Sequence, residues 1–241
     1  SRQSRGLGDV YKRQILHCNK LKRSNIGHFL RSNTMTAVHI SNMTGKLAEF
    51  RAISTNTKTN TYCIEQHAKA IEHKTDNICG DCYSHKMLDG FRKNMAPALQ
   101  RNSDLLSSRP LEPKEIPRIL DSVFRFSAHG ELINDQHMEN LMAIVLDNPW
   151  CRFALWTKRV DIVFRYIKKH GKPDNLNLVY SNPKKSHIMS KPPKFFDKTF
   201  NNVLEHEDVD KQNCTGQKCK DCLLCYTVND VKTIVEKVKK Y

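Results

Sequence analysis

The sequence predicts an α/β fold, and two observations carry that expectation: strand-like and helix-like runs alternate from residue 120 to residue 182, and Gly, Pro or Asn stops stand at their junctions. Strand, helix, strand, helix, strand at this spacing implies parallel pairing through right-handed crossovers. The expected architecture is therefore an α/β sheet or a partial (β/α) barrel.

Each element has its own reason. "SVFRFS" (122–127) is rich in β-branched and aromatic residues and reads as a strand. The following stretch sets Met138, Leu141, Met142 and Val145 on one helical face, opens on the cap formers Asn134 or Asp135, and stops before Pro149. "CRFALW" (151–156) is the next strand. The helix after it has Thr157 as its expected cap, Val160, Val163, Phe164 and Ile167 as its buried stripe, and Gly171 and Pro173 as its stop. "LNLVYS" (176–181) is a third strand, closed by Asn182 and Pro183. "KPPKFFDK" (191–198) reads as a surface loop that Phe195 and Phe196 anchor to the core. Near the end, Val231, Ile234, Val235, Val238 and Tyr241 fall on one stripe and predict a closing helix.

No apolar run approaches the ~18 residues that a membrane-spanning helix needs, and no secretory signal pattern is present. The expectation is a soluble protein of the cytoplasm with no membrane partner. Nine cysteines in a reducing compartment are better suited to metal ligation or catalysis than to disulfides. The net charge of +15 is weighted toward the beginning of the chain. There, Asp9–Gln14 resembles one reading frame of a transposon-end adapter used in DNA library preparation, and Met35 is the expected start. Setting residues 1–34 aside removes eight basic residues and one acidic residue and leaves +8. That charge reads first as solvated surface, with nucleic acid a less favoured partner. The expected organisation is an unfolded leader over 1–34, an α/β partial-barrel domain over 35–205, and a cysteine-rich metal-binding tail with the closing helix over 206–241.

Parallel sheets place their chemistry at the carboxyl ends of their strands. This singles out Ser127, His129, Gly130 and Glu131 after the first strand, Trp156, Thr157 and Lys158 after the second, and Ser181 and Asn182 after the third. Turns and caps use many of the same residue types. "SAHGE" stands apart because it gathers an imidazole, a glycine and a carboxylate on one strand end.

The cysteines are more specific. Spread evenly, nine cysteines would put about 0.4 in any twelve-residue window, yet the window Cys214, Cys219, Cys222, Cys225 holds four. Such an array suits zinc in a tetrahedral thiolate site or an iron–sulfur cluster, and spacing does not separate the two. Upstream, "NICGDCYSHK" pairs Cys79 with Cys82 in polar surroundings that argue against simple burial. Cys63 supplies a third thiolate if residues 64–78 loop back, a closure that costs only a few kcal/mol. Three thiolates would leave one iron of a cluster open to a small molecule.

In their order along the chain, "CGDCYSHK", "FRFSAHGEL", "NPWCRFALWTKR" and the terminal cysteines resemble the phage gene product 88 family, over roughly residues 45–226. That family looks like a set of degenerate relatives of radical S-adenosylmethionine enzymes. The C-x2-C-Tyr at Cys79–Tyr83 is similar to the last two cluster ligands of the spore photoproduct lyase type, and His129–Glu131 stands where the radical enzymes carry a Gly-Gly-Glu turn. The resemblance implies an iron–sulfur cluster on Cys63, Cys79 and Cys82, a second metal on Cys214, Cys219, Cys222 and Cys225, and S-adenosylmethionine as candidate cofactor. It further implies His129 and Glu131 as candidate catalytic residues, with Ser127, Gly130, Glu131 and Ser181 around the cofactor. Here Cys63 and Cys79 lie farther apart than in radical enzymes, and His129 replaces the first glycine of the turn. The rival expectation is a zinc-stapled, non-enzymatic binding module that meets nucleic acid or an acidic host protein.

Overall fold

One sheet takes its seven strands in chain order: β1 (Ser41–Asn42), β2 (Arg51–Ile53), β3 (Val123–Phe126), β4 (Arg152–Thr157), β5 (Leu176–Ser181), β6 (Lys198–Leu204) and β7 (Thr233–Val238). The computed structural model describes residues 37–207, 209 and 212–238; the expected leader over 1–34 and Tyr241 of the expected closing helix lie outside them. β1 is antiparallel to β2, and every later neighbouring pair is parallel. β1 and β7 form the two edges, so the sheet is not closed into a barrel.

Between the strands lie α1 (Thr61–Glu72), α2 (Tyr83–Asp89), α3 (Ala96–Ser108), α4 (Asp135–Asp147) and α5 (Val160–His170), with a single turn, α6 (Cys219–Cys222), near the end. The three strands expected from the sequence are β3, β4 and β5, and the two expected helices are α4 and α5. Asn134 is the cap of α4, its side chain accepting from His137 N at 2.9 Å. Gly171 ends α5 with φ 79°, a left-handed conformation that glycine adopts without strain. Thr157 does not open α5 as expected. It closes β4, although its Oγ1 still accepts the Arg159 N–H at 3.0 Å, one of the donors a helix start leaves over. Among the described residues no helix is long and apolar enough to cross a membrane.

Alternation along the strands builds two apolar layers. On one face Phe124, Phe126, Phe153, Leu155 and Leu178 pack against α3, α4 and α5, through Leu106, Met138, Leu141, Met142, Val145, Ile162, Val163 and Ile167. On the other, Ala52, Ala154, Trp156 and Val179 meet Phe50 from the segment before β2 and Tyr226 from the cysteine-rich tail. Phe196 joins the first layer and Phe195 packs against it, so the loop before β6 is anchored as its sequence suggested.

The closing helix is not formed. Thr233–Val238 is β7, paired in parallel with β6 from Thr199 opposite Thr233 to Leu204 opposite Val238. Four of its six residues are β-branched, which favours an extended strand. An apolar stripe at helical spacing and a doubly buried strand draw on the same residues, and the available edge of β6 decides between them. Ile234 and Val235 are accordingly both buried. The tail is thereby continuous with the sheet.

Burial holds the His137 imidazole down at about 4. The Ile133 N–H donates to its Nδ1 at 3.2 Å, a bond that requires that nitrogen to be unprotonated. Because the unfolded chain takes up this proton near pH 6.5 and the folded chain only near 4, His137 lowers stability as pH falls through that window. Urea titrations between pH 7 and pH 4 should show a loss of up to roughly 3 kcal/mol from this residue. His137→Gln should flatten the slope, and an unchanged slope would contradict the assignment.

Candidate functional site

The segment between β2 and α1 is polar yet buried, with Ser54, Thr55, Asn56, Thr57 and Asn60 all withdrawn from solvent. Most of its groups are spent on fixing the strand ends, the Thr57 hydroxyl being buried without a partner among the described residues. Asn60 caps α1, its Oδ1 accepting from Tyr62 N at 3.1 Å and Cys63 N at 3.5 Å, which places Cys63 in the first helical turn. The same side chain donates through Nδ2 to Glu131 O at 2.9 Å.

Cys79 and Cys82 come from a short 3₁₀ turn, Ile78–Asp81, that runs directly into α2. Asn77 caps it by accepting the Cys79 N–H at 2.9 Å. Two main-chain bonds hold the segment to the loop after β5: Ile78 N donates to Pro183 O at 2.8 Å, and Lys185 N to Asp76 O at 2.7 Å. On its other side the turn abuts α1, with His67 Nδ1 2.7 Å from Cys79 O and with a Cβ on Gly80 only 3.2 Å from that of Ala70. Cys63, Cys79 and Cys82 are each half-buried and lie within electrostatic reach of one another.

The loop after β3 completes this end of the sheet. Ser127 takes a left-handed φ of 56° and donates its N–H to Ile53 O at 2.9 Å. His129 is buried, with Nδ1 3.1 Å from Ser84 Oγ and its ring 5.4 Å from that of Tyr83. Burial first, and then Arg125 and Arg92, push its imidazole down to about 4. Glu131 is buried too, and its carboxylate accepts from Leu132 N and Lys158 N at 2.8 Å each and from the Thr157 hydroxyl.

Lys158, one residue past β4, is the cation of the site. Its Nζ donates to Ser181 Oγ at 3.2 Å, and it faces Cys79, Glu131, Cys82 and Cys63. Burial opposes its charge, but those neighbours outweigh burial and hold its pKa above the ordinary lysine value. Burial likewise pushes the Cys63 and Cys79 thiols up, with Glu131 adding to the effect and Lys158 opposing it.

The structure thus brings Cys63, Cys79, Cys82, Glu131 and Ser181 to one sheet end. Ser127, His129 and Gly130 serve the loop itself: His129 turns to Ser84 and Tyr83, and Gly130 is pressed against Thr55. Lys158, singled out in the sequence only as a strand-end position, is the cation of the site, and Asn60 belongs to it although the sequence gave it no role there. The signal for Lys158 was its place immediately beyond a strand, and for Asn60 its place immediately before a helix-forming run.

The terminal cysteines gather separately. Cys214, Cys219, Cys222 and Cys225 line one small pocket with Gln217 and Tyr226. Cys214 is held beside β7 by its N–H to Val235 O at 3.0 Å, with Lys46 Nζ 4.0 Å from its sulfur. Gln217 Nε2 stands 3.3 Å from Cys222 Sγ. Leu223, with φ 52°, turns the chain out of α6 so that Cys225 and Tyr226 fold back toward the sheet, where Asn177 donates to Cys225 O. Burial pushes the Cys225 thiol up to about 12. Among the described residues no three His, Cys, Asp or Glu side chains stand close enough together to hold a metal ion, in either place.

A family model described as gene product 88 matches residues 32–225. No curated protein and no solved structure matches the chain.

Gly130 tests the loop geometry. Its φ is 82°, and a Cβ there would stand 2.1 Å from Thr55 Oγ1 and 2.6 Å from Thr55 O. Gly130→Ala should cost roughly 3 kcal/mol in chemical denaturation, from strained backbone and overpacking together. A cost below about 1 kcal/mol would show that β2 and the loop do not meet this closely.

Proposed function

The chain belongs to the gene product 88 family, and from that premise we propose that it is an iron–sulfur protein whose first cluster is held by Cys63, Cys79 and Cys82 at the carboxyl ends of the parallel strands. The observation that carries this reading is the delivery of three half-buried thiols to one place by two separate elements, α1 and the 78–82 turn, around the buried side of Lys158. The donor set suits the group, since soft sulfur ligands select iron–sulfur clusters and zinc. A bound metal requires the sulfurs nearer to one another than they stand here. A second metal, zinc or iron–sulfur, is assigned to Cys214, Cys219, Cys222 and Cys225 around their shared pocket.

A cluster with three protein ligands would supply electron transfer and an open iron for the amino and carboxylate groups of S-adenosylmethionine. The chain's own residues have definite parts in that reading. Lys158 offsets the negative charge of the thiolates. Glu131 Oε1 is taken by Leu132 N and the Thr157 hydroxyl, whereas Oε2 accepts only from Lys158 N and retains capacity for an ammonium group. His129, neutral at pH 7, backs the loop that carries Gly130 and Glu131, and Ser181 holds Lys158 in place. Sequential strand order, with α3, α4 and α5 on one face, supports a partial (β/α) barrel of the radical S-adenosylmethionine type.

The polyanion-binding alternative has less support. Basic side chains around the thiols are engaged by acids: Lys58 with Asp89 at 2.5 Å, Lys185 with Asp81 at 2.7 Å, and Arg159 with Asp161 at 2.8 Å.

The two sites separate by mutation. In a chain already carrying Cys222→Ala, to silence the terminal pocket, Cys82→Ala should abolish the remaining visible absorption and bound iron. Absorption and iron that survive both substitutions would overturn the ligand assignment.

A further inference from the structure

On β3, Phe124 and Phe126 face the helices, so Arg125 between them projects to the opposite face of the sheet, the one covered by the cysteine-rich tail. Its guanidinium carbon lies 4.0 Å above the Trp156 ring centroid. Its Nε is buried without a hydrogen-bond partner, and among the described residues no carboxylate forms an ion pair with it. Tyr226 Oη faces Arg125 as its hydrogen-bonding neighbour and is also buried, yet neither atom reaches full hydrogen-bond geometry with any partner among the described residues. Arg125 as a whole is half-buried, and a partly desolvated cation with no carboxylate paired to it is compensated only in part by an aromatic ring. An anion on this face would complete the compensation.

The candidates for that anion are close by. Arg125 is within electrostatic reach of Cys219 and Cys225, and Tyr226 lines the pocket that all four terminal cysteines share. Thiols carry no charge, but thiolates gathered on a metal form an anionic centre whose sulfurs accept hydrogen bonds. We propose that Arg125 is the internal countercation of a metal–thiolate centre in the terminal pocket, and that the Arg125 Nε–H and Tyr226 O–H are the donors that orient its sulfurs. This rests on the metal reading of Cys214, Cys219, Cys222 and Cys225. On the Cys214 side Lys46 is already paired with Glu236, whose carboxylate lies 3.8 Å from Cys214 Sγ, so Arg125 is the cation left to offset the centre. Arg125 is a positioning residue here: it acts on the metal through the sulfurs.

The test uses the full chain carrying Cys82→Ala, so that the other thiol group does not compete, and cobalt(II) as the probe. Affinity is read by competition with a chromogenic chelator, and sulfur-to-cobalt charge transfer by absorption. Arg125→Gln should weaken binding about 10- to 100-fold, the usual effect of losing a partner of a metal ligand. It should also move the charge-transfer band to longer wavelength, because a sulfur relieved of a donor gives up electron density more easily. Tyr226→Phe, which removes one oxygen atom and keeps the packing, should move the band the same way, and it keeps the test open if Arg125→Gln fails to fold. A shift in the band is not produced by a purely structural role. Cobalt bound with unchanged affinity and band position in both variants overturns this inference and leaves the metal site standing. A folded chain with Arg125 and Tyr226 intact that binds no cobalt overturns both.

Discussion

The carboxylate and carbonyl of Glu131 join the parts of this molecule that no single element would hold together. The carboxylate ties the loop after β3 to the end of β4 through Leu132, Thr157 and Lys158, while the carbonyl accepts from Asn60 at the start of α1 and from Thr55 Oγ1 beyond β2. A buried carboxylate is tolerated only when its oxygens are occupied. The same residue that satisfies it in the main chain, Lys158, turns its side chain toward Cys63, Cys79 and Cys82. Fold closure and the charge of the thiol site are therefore set at one point, and neither can be altered without the other.

A second cation repeats the arrangement on the inner face of the sheet. Lys158 faces three thiols at the strand ends, and Arg125 lies within electrostatic reach of Cys219 and Cys225 in the terminal pocket. The tail that carries those four is also what covers Ala52, Ala154, Trp156 and Val179, with Tyr226 packed on Trp156 at 5.2 Å. Whatever binds in the terminal pocket therefore bears on how firmly one side of the sheet is closed. The cysteine-rich segment is part of the core as well as a candidate metal site.

Much of this was legible in the sequence. β3, β4, β5, α4 and α5 were readable because their apolar periods are clean and their ends carry Asn, Gly or Pro. The six clustered or paired cysteines announced themselves by spacing, Cys63 only as a third thiolate if the chain loops back, and Glu131 by its place after a strand. β2, β6 and β7 were not readable in the same way. β2 has only three residues, β6 carries Lys198, Asn201 and Asn202 among its buried positions, and β7 spells a helical stripe as well as a strand. Pairing partners decided these cases, and partners are not a local property. The role of Arg125 was hidden for a related reason: a basic residue within a strand reads as surface until its surroundings show what faces it.

The most direct test of the central claim is the iron and acid-labile sulfide content of the chain expressed from Met35 and purified without oxygen, recorded with its visible spectrum. The account predicts iron and sulfide in near-equal amounts with a brown chromophore. Zinc alone, at about one ion per chain, would mean a stapled tail with no cluster at Cys63, Cys79 and Cys82, and would contradict it.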